Sequence, residues 1–248
     1  MISKSTIDLV GNTPLIKLRE ASESTGCNIL GKAEFLNPGQ SIKDRAALYM
    51  IRDAEKRNLI QRGGTIVEGT GGNTGIGLTV IGNALGYKTL IVMPNNQSVE
   101  KINDLKHLGA KVILTPPAPY EDPNNYQKKA RKISEEEGAL WTNQFDNVAN
   151  RKAHIEGTSK EIWKQTNGKI DAFICAVGTG GTIGGNSIGL KKIDRRIKIY
   201  CADPMGSGMY SWIKKGKPNP QGESITEGIG QSRITNNLKK IEIDGAFQ

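Results

Sequence analysis

Short apolar segments alternate with helical patterns along the middle of the chain, and this alternation limits the fold more than any other feature. Predicted strands cover residues 65–70 (TIVEGT), 88–94 (KTLIVMP) and 111–116 (KVILTP). Helical patterns start near Thr74 and Ser98, between these strands. A βαβαβ order of this kind requires crossover connections, so it predicts a parallel sheet with helices on both of its faces.

The same alternation returns in the last third of the chain. Residues 171–178 (DAFICAVG) and 197–204 (IKIYCADP) are predicted strands, with a helix from about Thr182 between them. The less regular stretch between the two blocks consists of a proline-rich loop at residues 115–125, a highly charged helix at 126–137, the segment ALWTNQFDN and a helix around 154–165. The sequence therefore predicts two α/β domains with a cleft between them.

The chain of 248 residues is long enough for one or two domains with a sizeable core. Apolar residues make up 36% of it and 30 residues are glycine, a composition that fits a globular protein with many tight turns. The net charge of +9 comes from lysines and arginines that occur singly or in pairs, without interleaved aromatic residues. This distribution predicts a solvated basic surface and argues against a nucleic-acid-binding protein.

Cysteine and histidine residues are too few and too scattered to predict a metal site or a disulfide framework. Cys27, Cys175 and Cys201 lack CxxC spacing, and the last two lie in apolar runs typical of a core. His107 and His154 do not belong to a metal-ligand spacing. The N-terminal segment has no apolar stretch of signal or membrane-spanning length. We therefore expect a protein of a reducing compartment, by default the cytoplasm, with no metal and no membrane partner.

Lys43 occupies a place in a predicted helix where a charged lysine is disfavoured. Ser41 is a predicted N-cap and Asp44 the predicted carboxylate of a capping box. The apolar face of the helix that follows consists of Ala47, Met50, Ile51 and Ala54. Lys43 thus lies in the first turn, where the helix dipole repels an ammonium but not a neutral amine. Taken alone, such a lysine is more often a solvated surface residue.

Two glycine-rich loops each follow a predicted strand and open a helix. They are GTGGNTGIG at residues 69–77 and GTGGTIGG at residues 178–185. Such loops direct backbone N–H groups at a helix N-terminus, where they bind phosphate or carboxylate. Neither loop fits GxxxxGK(S/T), and neither fits GxGxxG, because Thr74 and Ile183 replace its third glycine. Each loop alone is a weak signal, since a strand-to-helix turn that binds nothing has the same pattern.

The lysine and the two loops together match the needs of one type of cofactor. An aldehyde cofactor with a phosphate group requires a lysine amine for a Schiff base, an anion site for its phosphate and a second site for the substrate carboxylate. For attack at neutral pH, the pKa of that lysine must fall from about 10.4 to 7 or 8, which disfavours its charged form by roughly 4 kcal/mol. A helix N-terminus and desolvation provide much of this shift.

Six short motifs occur in the order and spacing of a known enzyme family: VGNTPLIKL, NPGQSIKDR, EGTGGNTGIGL, NQFDN, GTGGT and ITEGIGQ. With them, the chain resembles the pyridoxal-phosphate-dependent cysteine synthases (O-acetylserine sulfhydrylases), close kin of cystathionine β-synthase, from about Ile7 to its last residues. The resemblance implies fold type II of the pyridoxal-phosphate enzymes (tryptophan synthase β-like), an α/β fold with two doubly wound domains and a cleft between them. The small domain would cover residues 37–147, and the large domain residues 1–36 and 148–248.

The resemblance also implies roles for individual residues. Lys43 would form the Schiff base with pyridoxal 5′-phosphate and, once freed, remove the substrate Cα proton, while Asn73 would hydrogen-bond the 3′ oxygen of the cofactor. Gly228 would lie near the substrate amino group. The residues expected to hold the cofactor phosphate are Gly178, Thr179, Gly180, Gly181 and Thr182. Those expected to bind the substrate α-carboxylate and to drive domain closure are Thr70, Gly71, Gly72, Asn73, Thr74 and Gln144.

The activity implied by the resemblance is β-replacement: elimination of acetate from O-acetyl-L-serine gives an amino acrylate, which sulfide attacks to form L-cysteine. Cystathionine β-synthase-like condensation of serine is the alternative, slightly favoured by ITEGIG, and a non-catalytic truncated remnant is another. A serine or threonine dehydratase fits less well, because such enzymes usually lack the Asn73–Thr74 pair. A homodimer is expected; the acyl donor, the sulfur nucleophile and docking of a serine acetyltransferase are left open.

Two features depart from the family pattern. Family members commonly have serine where this chain has Gly71, so a hydroxyl near the substrate and Lys43 is missing. The family also continues well beyond a point like Gln248, and that segment supplies the serine or threonine that contacts the pyridine nitrogen. We therefore expect a C-terminally truncated large domain with exposed apolar surface, and a chain that alone is aggregation-prone or depends on oligomer contacts and shows little synthase activity.

Overall fold

Helices and strands alternate along most of the chain in a computed structural model that describes residues 2–222 and 224–248. The strands are β1 (Leu15–Lys17), β2 (Leu30–Lys32), β3 (Thr65–Gly69), β4 (Lys88–Pro94), β5 (Lys111–Thr115), β6 (Leu140–Trp141), β7 (Ala172–Cys175), β8 (Lys198–Ala202) and β9 (Gly245–Phe247). The α-helices are α1 (Arg19–Thr25), α2 (Lys43–Lys56), α3 (Asn73–Leu85), α4 (Val99–His107), α5 (Tyr126–Glu137), α6 (Val148–Ala153), α7 (Ser159–Gln165), α8 (Gly181–Ile193) and α9 (Met209–Lys215). A π-helical segment, His154–Thr158, joins α6 to α7.

The first parallel sheet has the strand order β5-β4-β3-β6. Successive side chains of its strands point to opposite faces, and both faces are covered. Ile66 packs with residues of α2 and α3, and Ile91 packs with residues of α4. On the other face, Val67 and Val92 pack against Ala130 of α5. The predicted parallel sheet with helices on both faces is therefore confirmed for this block.

The second parallel sheet has the order β7-β8-β9, and helices cover one of its faces in the described residues. Cys201 and Ala246 face a core shared with Leu190 of α8. On the opposite face, Ile174 and Phe247 are 56% and 60% exposed. In the described part of the chain, helices therefore cover one face of this sheet and leave apolar side chains exposed on the other.

Three other elements differ from the sequence-based expectation or extend it. The helix predicted around residues 154–165 begins earlier, at Val148, because the Asn147 side chain accepts a hydrogen bond from the Ala149 N–H at 3.0 Å and caps it. The π-helical segment interrupts this helix. Strands β1 and β2 form a small antiparallel sheet. No helix in the described ranges is long and apolar enough to cross a membrane.

Candidate active site

Lys43 lies in the first turn of α2, as predicted, but it is the first residue of the helix because the cap position is Ile42 and not Ser41, and its side chain is partly buried. Burial lowers the pKa of Lys43, and no charged group among the described residues adds to this effect or opposes it. The apolar face predicted for the helix is buried in the core. A lysine at a helix N-terminus, without an acidic partner in the described structure, is favoured as the neutral amine.

The cap of α2 differs from the predicted capping box. The Ser41 Oγ accepts a hydrogen bond from the Lys43 N–H at 3.2 Å, and Ile42 takes the cap position without a side-chain cap. The Asp44 carboxylate accepts a hydrogen bond from the Gly39 N–H instead of the Ser41 N–H. Burial raises the pKa of Asp44 to about 6. The physical reason is that the loop before the helix folds back, which brings Gly39 to the carboxylate.

The first glycine loop follows β3 and leads into α3. Gly72 precedes the helix with φ of 146° and provides no side-chain cap, so N–H groups of the first turn remain available. The Thr74 hydroxyl donates to Gln144 Oε1 at 2.6 Å, and Gln144 Nε2 donates to the Gly69 carbonyl at 3.2 Å. Asn73 is exposed at the same helix end. The structure thus brings Gln144 to the loop with which it is predicted to bind a carboxylate.

The second glycine loop follows β7 and leads into α8. Gly180 has φ of 84° and, like Gly72, leaves the helix start without a side-chain cap. A side chain in place of Gly181 would overlap Asn150, since its Cβ would lie 2.0 Å from Asn150 Oδ1. The loop at residues 178–185 contains no cation. It therefore presents bare backbone donors at a helix N-terminus, the arrangement that binds phosphate.

The segment at residues 225–231 lies against both glycine loops. A Cβ on Gly178 would lie 2.4 Å from the Gly228 carbonyl oxygen, so these two backbones are in contact. Glu227 forms an ion pair with Lys101 of α4, and a Cβ on Gly72 would lie 2.7 Å from Lys101 Cδ. Gly228, predicted to lie near the substrate amino group, therefore contacts the start of the second loop. The ion pair next to it links the same segment to the first loop.

Two buried amides, which the sequence patterns do not identify, connect the loops. Asn150 Nδ2 donates to the Gln144 carbonyl at 2.8 Å and to Thr179 Oγ1 at 2.9 Å. Asn237 Nδ2 donates to the Gln144 carbonyl at 3.1 Å and to the Phe145 carbonyl at 2.8 Å. Because Gln144 belongs to the first loop's site and Thr179 to the second, these amides fix the two predicted anion sites relative to each other.

His154 lies beside Thr182 of the second loop and is only 2% exposed. Its Nδ1 is 2.9 Å from Thr158 Oγ1, and its Nε2 is 3.5 Å from Thr182 Oγ1. Burial, and to a smaller degree the positive charge of Arg45, lowers the pKa of His154 to about 3. The imidazole is therefore neutral. The sequence patterns predict no metal-binding role for His154, and they do not predict that it lies beside Thr182.

Gly71 departs from the family pattern and lies in the first loop. A Cβ at this position would be 3.0 Å from Gln97 Oε1. A serine there would require the Gln97 side chain to move by a few tenths of an ångström. The position where the family usually has a serine hydroxyl is therefore close to the Gln97 side chain in this chain. The described residues contain no group of three or more histidine, cysteine or acidic side chains that could hold a metal ion.

The residues at this site fit a phosphate-bearing aldehyde cofactor. The second loop excludes side chains at Gly178 and Gly181, which leaves backbone donors exposed to a phosphate. Lys43 supplies an amine whose pKa is lowered and whose charge is not neutralised by a described acidic neighbour. The first loop and Gln144 provide a separate group of neutral donors suited to a carboxylate. All three parts that such a cofactor requires are present.

Comparison with known proteins identifies the family. The sequence model for pyridoxal-phosphate dependent enzymes matches residues 6–245. Cysteine synthase 1 of Neurospora crassa is 56% identical over 243 residues, which are 96% of this chain and 65% of that protein. The chain therefore spans about two thirds of the length of this relative, and the relative is longer, as expected for the family.

Solved structures agree with this assignment. A hydrogen sulfide-producing enzyme from Fusobacterium nucleatum is 37% identical, with a TM-score of 0.84 over all of this chain and 79% of that one. O-ureido-L-serine synthase is 30% identical, with a TM-score of 0.88 over 99% of this chain and 75% of that one. The predicted fold type II and its cofactor are thereby confirmed. The chain belongs to the family of pyridoxal-phosphate-dependent enzymes and has their α/β fold, with two parallel sheets.

Proposed function

We propose that this chain carries the catalytic site of a cysteine synthase, which forms L-cysteine from O-acetyl-L-serine and sulfide by β-replacement. One observation supports the proposal: two uncapped helix N-termini, one for each parallel sheet, are joined through Asn150, which donates to the Gln144 carbonyl and to Thr179 Oγ1. We infer that Lys43 belongs to the same site. The 56% identity to a cysteine synthase supports this reaction over the serine-condensing alternative and over a non-catalytic remnant.

The second loop would hold the cofactor phosphate. Residues 178–182 offer backbone N–H groups and the hydroxyls of Thr179 and Thr182, and the positive end of the α8 dipole favours an anion there. Asn73, exposed at the start of α3, would hydrogen-bond the 3′ oxygen of the cofactor. When bound, pyridoxal phosphate withdraws electrons from the Cα of an attached amino acid, which labilises its Cα proton and allows a Cβ substituent to leave.

The first loop would bind the α-carboxylate of the substrate. Residues 70–74 offer the N–H groups at the start of α3, and the Gln144 side chain is held beside them by Thr74. Gly228 would lie near the amino group, because its backbone is fixed against Gly178. Binding of both ends of the substrate orients its Cα–H bond, which is the positioning that proton removal requires.

Lys43 would hold the cofactor covalently through its amine and, when the substrate displaces it, accept the Cα proton at Nζ. Both roles require the neutral amine, and burial at a helix N-terminus favours that form. The same proposal includes a homodimer in the cytoplasm and a small domain of residues 37–147 packed on a large domain of residues 1–36 and 148–248. It leaves docking of a serine acetyltransferase open.

A stepwise spectral titration tests this function. O-acetyl-L-serine added to the cofactor-loaded chain is expected to change the visible spectrum, and sulfide is expected to restore it with release of one L-cysteine per site. The matched Lys43→Ala variant should give neither change. L-serine should not replace O-acetyl-L-serine. Restoration by homocysteine after L-serine would instead favour the condensing reaction, and no spectral response to either amino acid would refute the proposal.

A further inference from the structure

Glu68 is a buried carboxyl group directly before the first glycine loop, and the proposed reaction does not use it. It lies near the end of β3 and is 1% exposed. Its Oε1 accepts a hydrogen bond from the Gly69 N–H at 2.9 Å. Its Oε2 accepts one from the Thr142 hydroxyl at 2.5 Å and one from the Gln144 N–H at 3.0 Å. The carboxyl group therefore joins the first loop to the segment that carries Gln144.

No cation compensates this carboxyl group in the described part of the chain. Its hydrogen-bond donors are two backbone N–H groups and one hydroxyl, and burial outweighs them and raises the pKa of Glu68 to about 7. The titratable group close enough to interact electrostatically with it is Tyr126 of α5, which also interacts with the positive charge of Arg233. Burial raises the pKa of Tyr126 above its ordinary value, so the phenol stays neutral where Glu68 changes charge.

The position of Glu68 creates a conflict of charge with an anionic ligand on the loop. Within the loop at residues 70–74, the Thr70 and Gly72 N–H groups donate to the Val92 carbonyl and to Thr70 Oγ1, which leaves the N–H groups of residues 71, 73 and 74 for a carboxylate. A carboxylate bound there would lie close to Glu68 along the chain, and Gln144 contacts both Thr74 and Glu68. Two negative charges in one poorly solvated region repel each other strongly. If Glu68 becomes neutral when the ligand binds, the site contains one buried negative charge, that of the ligand carboxylate, instead of two.

We propose that Glu68 is a proton-linked positioning residue, which takes up one proton when an α-carboxylate binds to the loop at residues 70–74. The proton comes from solvent and binds to Oε2, where the Thr142 hydroxyl turns from donor to acceptor. The Gln144 N–H keeps its position against the same carboxyl group. This inference rests on the proposed function, since it assumes that the loop binds the substrate carboxylate.

Thermodynamic linkage between protonation of Glu68 and carboxylate binding determines how the ligand affinity changes with pH. If carboxylate binding favours protonated Glu68, then protonated Glu68 must favour carboxylate binding by the same factor. The affinity for an amino acid is therefore expected to fall as the pH rises through the region of Glu68 ionisation. An amine without a carboxylate adds no negative charge to the loop, so its affinity is not expected to depend on Glu68.

Carbon-13 NMR of the cofactor-loaded protein, labelled at glutamate Cδ, tests the proposal between pH 5 and 9. One glutamate carboxyl resonance should titrate with a midpoint of about 7 and be absent from Glu68→Gln. Saturating L-alanine should raise this midpoint by about one unit, equivalent to about tenfold weaker L-alanine binding at high pH than at low pH. Ethylamine, which lacks the carboxylate, should leave the midpoint unchanged.

Two further variants complete the test. Glu135→Gln changes an exposed residue of α5 and should keep both the titrating resonance and its response to L-alanine. Thr142→Val removes a hydrogen bond to the ionised form and should raise the midpoint, which identifies the resonance even where Glu68→Gln does not fold.

An unchanged midpoint in the presence of bound L-alanine, or no glutamate carbon titrating in this range, would overturn the inference alone. If L-alanine does not bind to the loaded protein at all, the proposed carboxylate site is wrong as well.

Discussion

At the scale of single residues, burial sets the protonation states around the site. His154 is almost fully buried and its ring nitrogens lie near hydroxyl groups of Thr158 and Thr182, so burial keeps its imidazole neutral. Lys43 is shifted in the same direction by burial. A neutral His154 adds no positive charge near Lys43, so burial alone accounts for the lowered pKa of the lysine amine.

The buried His154 makes stability depend on pH. Its pKa is depressed in the folded state, from 6.5 to about 3, so the contribution to stability is present above pH 6.5 and is lost as the pH falls toward 3. At pH 5 the loss is about 2 kcal/mol relative to pH 7.5. Urea unfolding at both pH values is expected to show this loss in the parent and much less of it in His154→Gln. Equal losses in the two proteins would mean that His154 titrates normally.

At the scale of elements, α3 and α8 share one design. Each follows a strand of a parallel sheet, each begins after a glycine with positive φ, and neither has a side-chain cap. A capping side chain would occupy the N–H groups that an anion needs. Helices α1, α2, α7 and α9 also lack a side-chain cap, but none of them begins after a glycine with positive φ, so the combination of the two features separates the two candidate anion sites from the other described helix starts.

A negative charge in the first turn of α8 should compete with a phosphate. Gly180 is a poor position for such a test, because a Cβ there would lie 2.6 Å from Leu238 Cγ. Thr182 is only partly buried and lies in the same turn. We expect Thr182→Asp to bind pyridoxal phosphate at least tenfold more weakly than the isosteric Thr182→Asn, a difference of about 1.4 kcal/mol. Cofactor titration followed by absorbance measures both affinities; equal values would place the phosphate elsewhere.

Helix boundaries were predictable where local signals act alone. The bounds of α5 follow from its Asn125 cap and from Gly138, which ends the helix in the left-handed conformation. Helix α2 starts one residue later than the predicted Ser41 cap implies, and its capping box is not formed because Gly39 donates to the Asp44 carboxylate. The start of the helix at Val148 has a local signal in the Asn147 cap, but its π-helical segment packs against α8, a tertiary contact that no local pattern reveals.

At the scale of the whole molecule, the site depends on contacts between distant parts of the chain. Gln144, Asn150 and Asn237 belong to different segments and meet through hydrogen bonds with one another. Periodicity identified the strands and the glycine loops, but it does not say which loops face each other. The pairing of the two loops with Lys43 came from the resemblance to a family, and the connecting amides became visible only in the folded chain.

The central claim is that residues from both sheets assemble one pyridoxal phosphate site around Lys43. Borohydride reduction of the cofactor-loaded chain, followed by digestion and mass spectrometry, tests it most directly. We expect the pyridoxyl group on Lys43, unchanged in the control variant Lys101→Ala and absent from Lys43→Ala. Lys101 is the matched control because it lies beside the first loop and pairs with Glu227. A pyridoxyl group on any other lysine of the parent protein, or none at all, would contradict the account.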